Sequence, residues 1–366
     1  MVHNRFTCVI EQTADAVFIT DIKGVIEYVN PAFESITGYN KSEALGCTPR
    51  LLKSGLHKPE YYQDLWKTLL QGHSFTGEAV NKRKNGELFY AEQTITPIRN
   101  PRGHITHFVS LLKDMTQWRH IIKKKTELEI ASRVLKRLLP NRAPKVKGYE
   151  FYGTTLPADV VCGDYYDFLP ISESTLGIVI ADVSGHGVGP AMVMVETRAY
   201  IRSLAGVFSS PSDILNSINN ILFLDLNDNY FVTLIIIFMD ILSGRLIYAN
   251  AGHTPAYIYN HEGEIDQVLK CTGVPLGMFV DQKYATCEGL FEPGNMLVLV
   301  TDGLAENPSI EGSEFGLSRI HDLIKSQYRK NVKEISECLI MESRQHAGNR
   351  PQTDDITLVI GKRYLS

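Results

Sequence analysis

The sequence lacks a CxxC cysteine pair, an apolar run long enough to cross a bilayer, and any excess of positive charge. Each absence excludes a class of protein. The six cysteines, Cys8, Cys47, Cys162, Cys271, Cys287 and Cys338, are scattered, and none stands at zinc-ligand spacing with a histidine, so no zinc module is expected and free thiols suit a reducing cytoplasm. The longest apolar run, Leu234 to Met239, falls far short of the roughly 20 residues of a membrane-spanning helix and reads as a buried strand. Met1 to Ile10 mixes charged and polar residues without the apolar centre of a signal peptide. A formal charge of -4 offers no basic field for nucleic acid. The expectation is a cytoplasmic protein that engages neither membrane nor nucleic acid.

What is present is ordinary folded material. At 366 residues, 44% hydrophobic and 21% charged, the chain has room for two or three modules. Val17–Thr20 and Val25–Val29 read as short strands around a turn at Lys23-Gly24. Asn30-Pro31 has the form of an N-cap followed by proline at the first helical position, and Gly38 ends that helix. Pro59 opens a second helical pattern that stops before Gly72. Strand-like runs follow at Phe75–Lys82, Glu87–Ile98 and Ile105–Lys113, with a hairpin signal at Asn85-Gly86. Two strands, helices, then three antiparallel strands make a small α+β domain with one sheet.

The stretch DAVFITDIKGVIEYVNPAFESITGY, with LLKSGLHKPEYYQDLWKTLLQG and NKRKNGELFYAEQTITPIRNPRGHITHFVSLLKDMT, resembles a PAS sensor domain over residues 8 to 117. The resemblance implies signal input without naming the signal. The photoactive flavin-binding subgroup carries a reactive cysteine in a pattern similar to NCRFLQ, where this chain has Pro49 and a displaced Cys47. Haem has little support from His57 or His73, so the PAS ligand stays open, and a cofactor-free domain that dimerises or binds a protein is expected.

Residues 115 to 140 contain no glycine, and no proline before Pro140, and helix formers dominate. Ile121, Leu128 and Leu135 repeat every seven residues, and Ala131 and Leu138 fill the second apolar position, which Lys124 breaks once. This pattern fits a short coiled-coil linker, which would join two chains into a homodimer, or a single amphipathic helix. The expected division is residues 1–116 for the sensor, 117–140 for the linker and 141–366 for the remainder.

Beyond the linker, strand-like runs recur at Tyr149–Gly153, Leu176–Ile180, Val232–Met239, Arg245–Asn250, Ala256–Tyr259, Met296–Val300 and Ile356–Ile360, with helical patterns at about 190–206, 211–225, 316–329 and 332–346. Aspartates stand at strand ends beside glycines: Asp164 and Asp167 in VVCGDYYDF, Asp182 in ADVSGHGVGPAM, Asp302 in VLVTDGLAE, Asp354 and Asp355 in TDDITLVI. A carboxylate beside a buried strand is costly unless paired or metal-bound. Lysines do not cluster with these aspartates, and hard oxygen ligands suit Mg²⁺ or Mn²⁺.

The ordered series LLP, PADVVCGDYYD, DVSGHGVGPAM, NAGHTPA, TDGLAE and DDITLVI resembles the SpoIIE-type branch of the metal-dependent PPM (2C-like) serine/threonine phosphatases over about residues 130 to 362. That resemblance implies an α-β-β-α sandwich with two metals at one sheet edge. It assigns Asp182 as the bridging carboxylate, the Val183 carbonyl as a further ligand, Asp164 to one metal, and Asp302 and Asp354 to the other. Asp355 becomes either a partner of those ligands or a ligand of a weaker extra metal; it replaces the asparagine common in the eukaryotic branch. Asp167 is expected to be structural. His186 and His253 could protonate the leaving oxygen or only make structural hydrogen bonds. No arginine clamp for phosphate precedes the first acidic motif. Two metals about 3.5–4 Å apart would share a water and lower its pKa toward about 7, giving a bridging hydroxide that attacks phosphorus. The implied substrate is a phosphorylated STAS-domain protein, an anti-sigma factor antagonist, in a stress-response sigma-factor pathway. The alternative is a catalytically silent scaffold that binds such a partner.

Overall fold

The structure is a computed structural model that describes residues 8–140, 142–226 and 230–365; the expectation for Met1 to Ile10 falls mostly outside these. Two compact units are present, Met1–Thr126 and Glu127–Ser366.

The first unit is a five-stranded antiparallel sheet in the order β2-β1-β5-β4-β3. Its strands are β1 Ala16–Asp21, β2 Ile26–Val29, β3 Phe75–Lys82, β4 Leu88–Arg99 and β5 Ile105–Asp114. Helices α1 Pro31–Thr37, α2 Lys41–Ala44 and α3 Pro59–Leu70 lie between β2 and β3 in the chain. Asn30 does more than cap α1. Its Oδ1 accepts the Phe33 and Val17 amides at 3.0 and 2.9 Å, and its Nδ2 donates to the Ile10 and Asp15 carbonyls. One buried amide thus fixes the helix start against the first strand. Phe18, Phe33, Phe89 and Leu112 fill the core beneath it. His57 is committed locally: its Nε2 accepts the Val80 amide at 2.7 Å, and its ring stacks on Tyr61.

Helix α4, Thr116–Lys136, is unbroken. Trp118, Ile121, Ile122, Ile130 and Val134 are exposed on it. The division between the two units falls inside this helix.

The second unit contains two five-stranded sheets, ordered β13-β10-β9-β8-β7 and β12-β11-β14-β15-β6. The first holds β7 Tyr165–Pro170, β8 Thr175–Val183, β9 Val232–Asp240, β10 Arg245–Ala251 and β13 Cys287–Leu290. The second holds β6 Tyr149–Leu156, β11 Ala256–Tyr259, β12 Ile265–Leu269, β14 Met296–Val300 and β15 Ile356–Arg363. Helices are α5 Val188–Leu204, α6 Pro211–Asp225, α7 Asp302–Ala305, α8 Leu317–Gln327 and α9 Val332–Ala347.

Successive side chains of a strand point to opposite faces, so the central strands, whose middles are continuous apolar runs, are covered on both sides. Ile178, Ile180, Ile235 and Ile237 of the first sheet share a core with Ile258, Leu297, Leu299 and Val359 of the second. Their neighbours Val179, Ala181 and Ile236 face Val193, Ile201, Ile214 and Ile218 of α5 and α6. Val298, Leu358 and Ile360 face Ile320, Ile324, Ile335 and Leu339 of α8 and α9. The apolar run Leu234–Met239 is a buried strand, as its composition predicts. No helix among the described residues is long and apolar enough to cross a membrane.

Three strands escape the sequence reading. β12 and β13 are edge strands, short and half-exposed, so they carry no apolar period. β7 is buried along most of its length with Asp167 in its middle. That aspartate is held by Arg202 of α5, whose Nε and Nη2 donate to its two oxygens at 2.6 and 2.9 Å, while the Tyr165 hydroxyl donates to Oδ2. A bidentate guanidinium neutralises the charge. Asp167 is therefore tied to α5, the structural role expected of it.

Candidate metal centre

Each candidate aspartate sits where a strand begins or ends. Asp164 precedes β7, Asp182 and Val183 end β8, Asp302 opens α7 after β14, and Asp354 and Asp355 precede β15. β7 runs antiparallel to β8 with Tyr165 opposite Ala181, and β14 antiparallel to β15 with Val300 opposite Leu358. The pairing gathers Asp164 with Asp182 at one end of the first sheet, and Asp302 with Asp354 at one end of the second. A hydrogen bond joins the two ends: the Thr301 hydroxyl donates to Asp164 Oδ2 at 2.9 Å and itself accepts the Thr357 amide.

The electrostatics of this cluster follow from burial and like charge. Burial, then the neighbouring Asp302 and Asp354, push Asp182 up to about 7. Burial, then Asp182, hold Asp164 well above the ordinary carboxylate range. Burial also raises Asp354, with Asp302 and Asp355 adding to it. No lysine or arginine pairs with any of them among the described residues, and Asp164 Oδ1 is buried with no hydrogen-bond partner. An unpaired buried oxygen next to like charges is the environment a divalent cation relieves. Hard, anionic oxygens are the donor set that Mg²⁺ and Mn²⁺ take. The residues fit such ions. Among the described residues, however, no three His, Cys, Asp or Glu side chains are drawn together into a ready-made cluster.

Asp355 departs from the ligand pattern. It is 3% exposed, and its two oxygens accept the Ala158 and Gly163 amides, each at 2.7 Å. Of the two roles expected for it, these bonds are those of a partner of the ligand loop. Cys162 is buried beside them, and burial followed by Asp164 and Asp355 raises its thiol far above its usual range. Gly303 is demanded by close approach: a Cβ there would lie 2.1 Å from the Asp355 carbonyl oxygen.

The two histidines separate. His186 is exposed in the loop between β8 and α5 and acts electrostatically on Asp354. His253 is buried, with Nδ1 2.9 Å from the Thr233 hydroxyl and Nε2 unpartnered. Thr233 pairs across the sheet with Asp182. The Asn250 side chain accepts the His253 amide and donates to its carbonyl. These bonds give His253 a structural place. Burial depresses its pKa to about 3, against a weaker opposing effect of the Val300 carbonyl. The unfolded chain, with histidine near 6.5, takes up a proton between about pH 6.5 and 3 that the fold refuses. Stability is therefore complete above about pH 6.5 and falls as pH drops, by at most ~1.4 kcal/mol per pH unit from this group. Asp164 and Asp182, raised by burial, act with the opposite sign over the same interval, so the component is read as a difference: urea unfolding at pH 7.5 and pH 5 should show His253→Gln losing less stability, or gaining more, than the unsubstituted protein.

Thr301, Thr233 and Asn250 were not singled out from sequence. The available signal was position: each lies in or beside a motif already marked by an acid or a histidine.

Comparison with known proteins agrees with this geometry. The family model for Stage II sporulation protein E (SpoIIE) matches residues 172–364, and the PAS fold model matches residues 4–115. Protein IcfG of Synechocystis sp. is 30% identical over 260 residues, covering 64% of this chain and 41% of IcfG. Phosphoserine phosphatase RsbU of Bacillus subtilis is 29% identical over 247 residues, covering 66% of this chain and 71% of RsbU. The chain thus spans less than half the length of one of these relatives and about seven tenths of the other. The SiaA-PP2C domain of Pseudomonas aeruginosa superposes with a TM-score of 0.60 at 25% identity, over 67% of this chain and 99% of that domain. With more than half of its length matched by the family model, the chain belongs to the SpoIIE family, with a PP2C-type phosphatase domain following a PAS domain.

Proposed function

We propose that this chain is a signal-regulated, metal-dependent phosphoprotein phosphatase that removes phosphate from serine or threonine of a protein substrate. The observation that carries the reading is the gathering of Asp164, Asp182, Asp302 and Asp354 at one end of two stacked sheets, with no basic partner among the described residues and with the proton affinities of Asp164, Asp182 and Asp354 raised. The likeness to RsbU, named a phosphoserine phosphatase, supports it. We read the layering as the α-β-β-α sandwich.

In this reading Asp182 and the Val183 carbonyl would hold two Mn²⁺ or Mg²⁺ ions in common, with Asp164 as a ligand to one and Asp302 and Asp354 as ligands to the other. When bound, such ions lower the pKa of a shared water and neutralise charge on the phosphoryl oxygens. The chain's own residues do the positioning. Thr301 orients Asp164 by its hydroxyl, and the backbone of β8 fixes Asp182 against Thr233.

Residues 1–116 serve as the sensor, 117–140 as the linker and 141–366 as the phosphatase. The exposed apolar side chains of α4 support a coiled-coil homodimer through which the PAS signal reaches the site. The substrate is a phosphorylated STAS-domain protein, and the setting is cytoplasmic. The test is manganese-dependent release of phosphate from a phosphorylated STAS-domain protein by the full chain, and by a chain lacking residues 1–115. Release that depends on Mn²⁺ and changes its response to signal on deletion is expected. Binding without release would favour the silent scaffold.

A further inference from the structure

We propose that Asp355 is a positioning residue, an acceptor-only latch that holds the loop carrying Asp164 in place before any metal arrives. The inference rests on the metal-centre reading for its consequence, but not for the latch itself. Asp355 is buried, and no basic side chain pairs with it among the described residues. Its Oδ1 accepts the Ala158 amide and its Oδ2 the Gly163 amide, both at 2.7 Å, across 197 and 192 residues of chain. Both distances lie in the short range of charge-assisted bonds. The two donors bracket the loop 158–163, and Gly163 is the residue immediately before Asp164.

A second tie runs in the same place. The Gln352 side-chain amide donates to the Leu156 carbonyl at 2.9 Å and to the Asp354 carbonyl at 2.7 Å. The segment before β15 is thereby fastened to the end of β6 and to both ends of the following loop. On its other side the loop is pressed against β8 and α5: a Cβ on Gly163 would stand 3.1 Å from Pro190 Cβ and 3.3 Å from the Val183 carbonyl oxygen. Gly163 is fixed from two sides, so the direction of Asp164 is fixed too.

The identity of the latch follows from the donors. Two backbone N–H groups meet two oxygens, and a carboxylate is acceptor-only, whereas an asparagine would turn an NH₂ toward one of the two amides. An aspartate at this position is thus required by the loop it holds, independently of any ion.

The test is residue-resolved hydrogen exchange on the full chain, metal-free. In the unsubstituted protein the Ala158 and Gly163 amides should exchange slowly while the neighbouring Asp159 amide exchanges fast. In Asp355→Asn both protected amides should exchange at least about tenfold faster, with β9 amides unchanged, and direct titration by Mn²⁺ electron paramagnetic resonance should show affinity weakened about 10- to 100-fold. Should Asp355 be a metal ligand only, metal-free exchange at 158 and 163 would match the unsubstituted protein, and the latch is overturned. Equal exchange of Ala158, Gly163 and Asp159 in the unsubstituted protein overturns it as well, without recourse to a variant. Absence of phosphatase activity would sink the functional reading and leave these exchange rates untouched.

Discussion

Asp182→Ala and Asp302→Ala should each remove manganese-dependent phosphate release, by well over the ~10- to 100-fold that loss of an outer partner of a metal site costs. The reason differs for the two positions. Asp182 is the most embedded in the field of the other acids, since Asp302 and Asp354 both raise it after burial does. In the proposed arrangement it is the one carboxylate shared between ions, so its loss removes a ligand from each. Asp302 begins a single helical turn after β14, and its loss removes one ligand from one ion. Asp182→Ala should therefore resist rescue by high Mn²⁺, whereas Asp302→Ala should recover part of its rate. Both variants should stay folded, because each removes one member of a repelling set rather than a paired charge. Phosphate release measured across a manganese series, with thermal unfolding alongside, decides the matter. Undiminished turnover in both variants would exclude a two-metal mechanism.

The second large effect concerns stability. Asp167 is 1% exposed in the middle of β7; Arg202 is the cation that answers it, and the Tyr165 hydroxyl and the Phe168 amide also donate to it. Removing one partner of a buried pair leaves the other charge uncompensated, at about 3–5 kcal/mol. The Arg202 side chain is 44% exposed, so water can partly take over its role, and about 2–3 kcal/mol is expected for Arg202→Leu. Replacing both, as Asp167→Leu with Arg202→Leu, should recover much of the loss, since an apolar pair of similar volume is often neutral in such a place. Denaturant midpoints of the two single variants and the double variant test this coupling. Additive losses would mean that the pair is not the reason for the burial of Asp167.

Much of this molecule could be read from the chain alone, for identifiable reasons. The central strands carry long apolar runs because both faces are covered, so Leu234–Met239 is unmistakable. The metal-centre acids stand out because each follows or precedes such a strand. Edge strands β12 and β13 have one wet side and too few residues to show a period. The partner of Asp167 lies 35 residues later on a helix, where an arginine looks like any other solvated charge. The partners of Asp355 are backbone amides, which have no letter in a sequence. Thr301 and Thr233 act through hydroxyls on strand residues that composition would class as ordinary β formers. What the sequence conceals here is pairing across long separations, whereas it displays the residues that must be paid for by such pairing.

The register of β15 has a bearing on synthesis. β15 is the last strand, and it lies between β14 and β6, pairing Ile356 with Leu156 and Arg363 with Tyr149. Until it is inserted, the second sheet is in two pieces, and Asp354 has no strand after it to fix its place. Chains are made from the N-terminus, and long-range pairings form late. A nascent or prematurely ended chain that stops short of residue 356 therefore carries the PAS domain and most of the second unit but no assembled acidic site, so that the proposed activity would arrive in one step with β15 rather than by degrees.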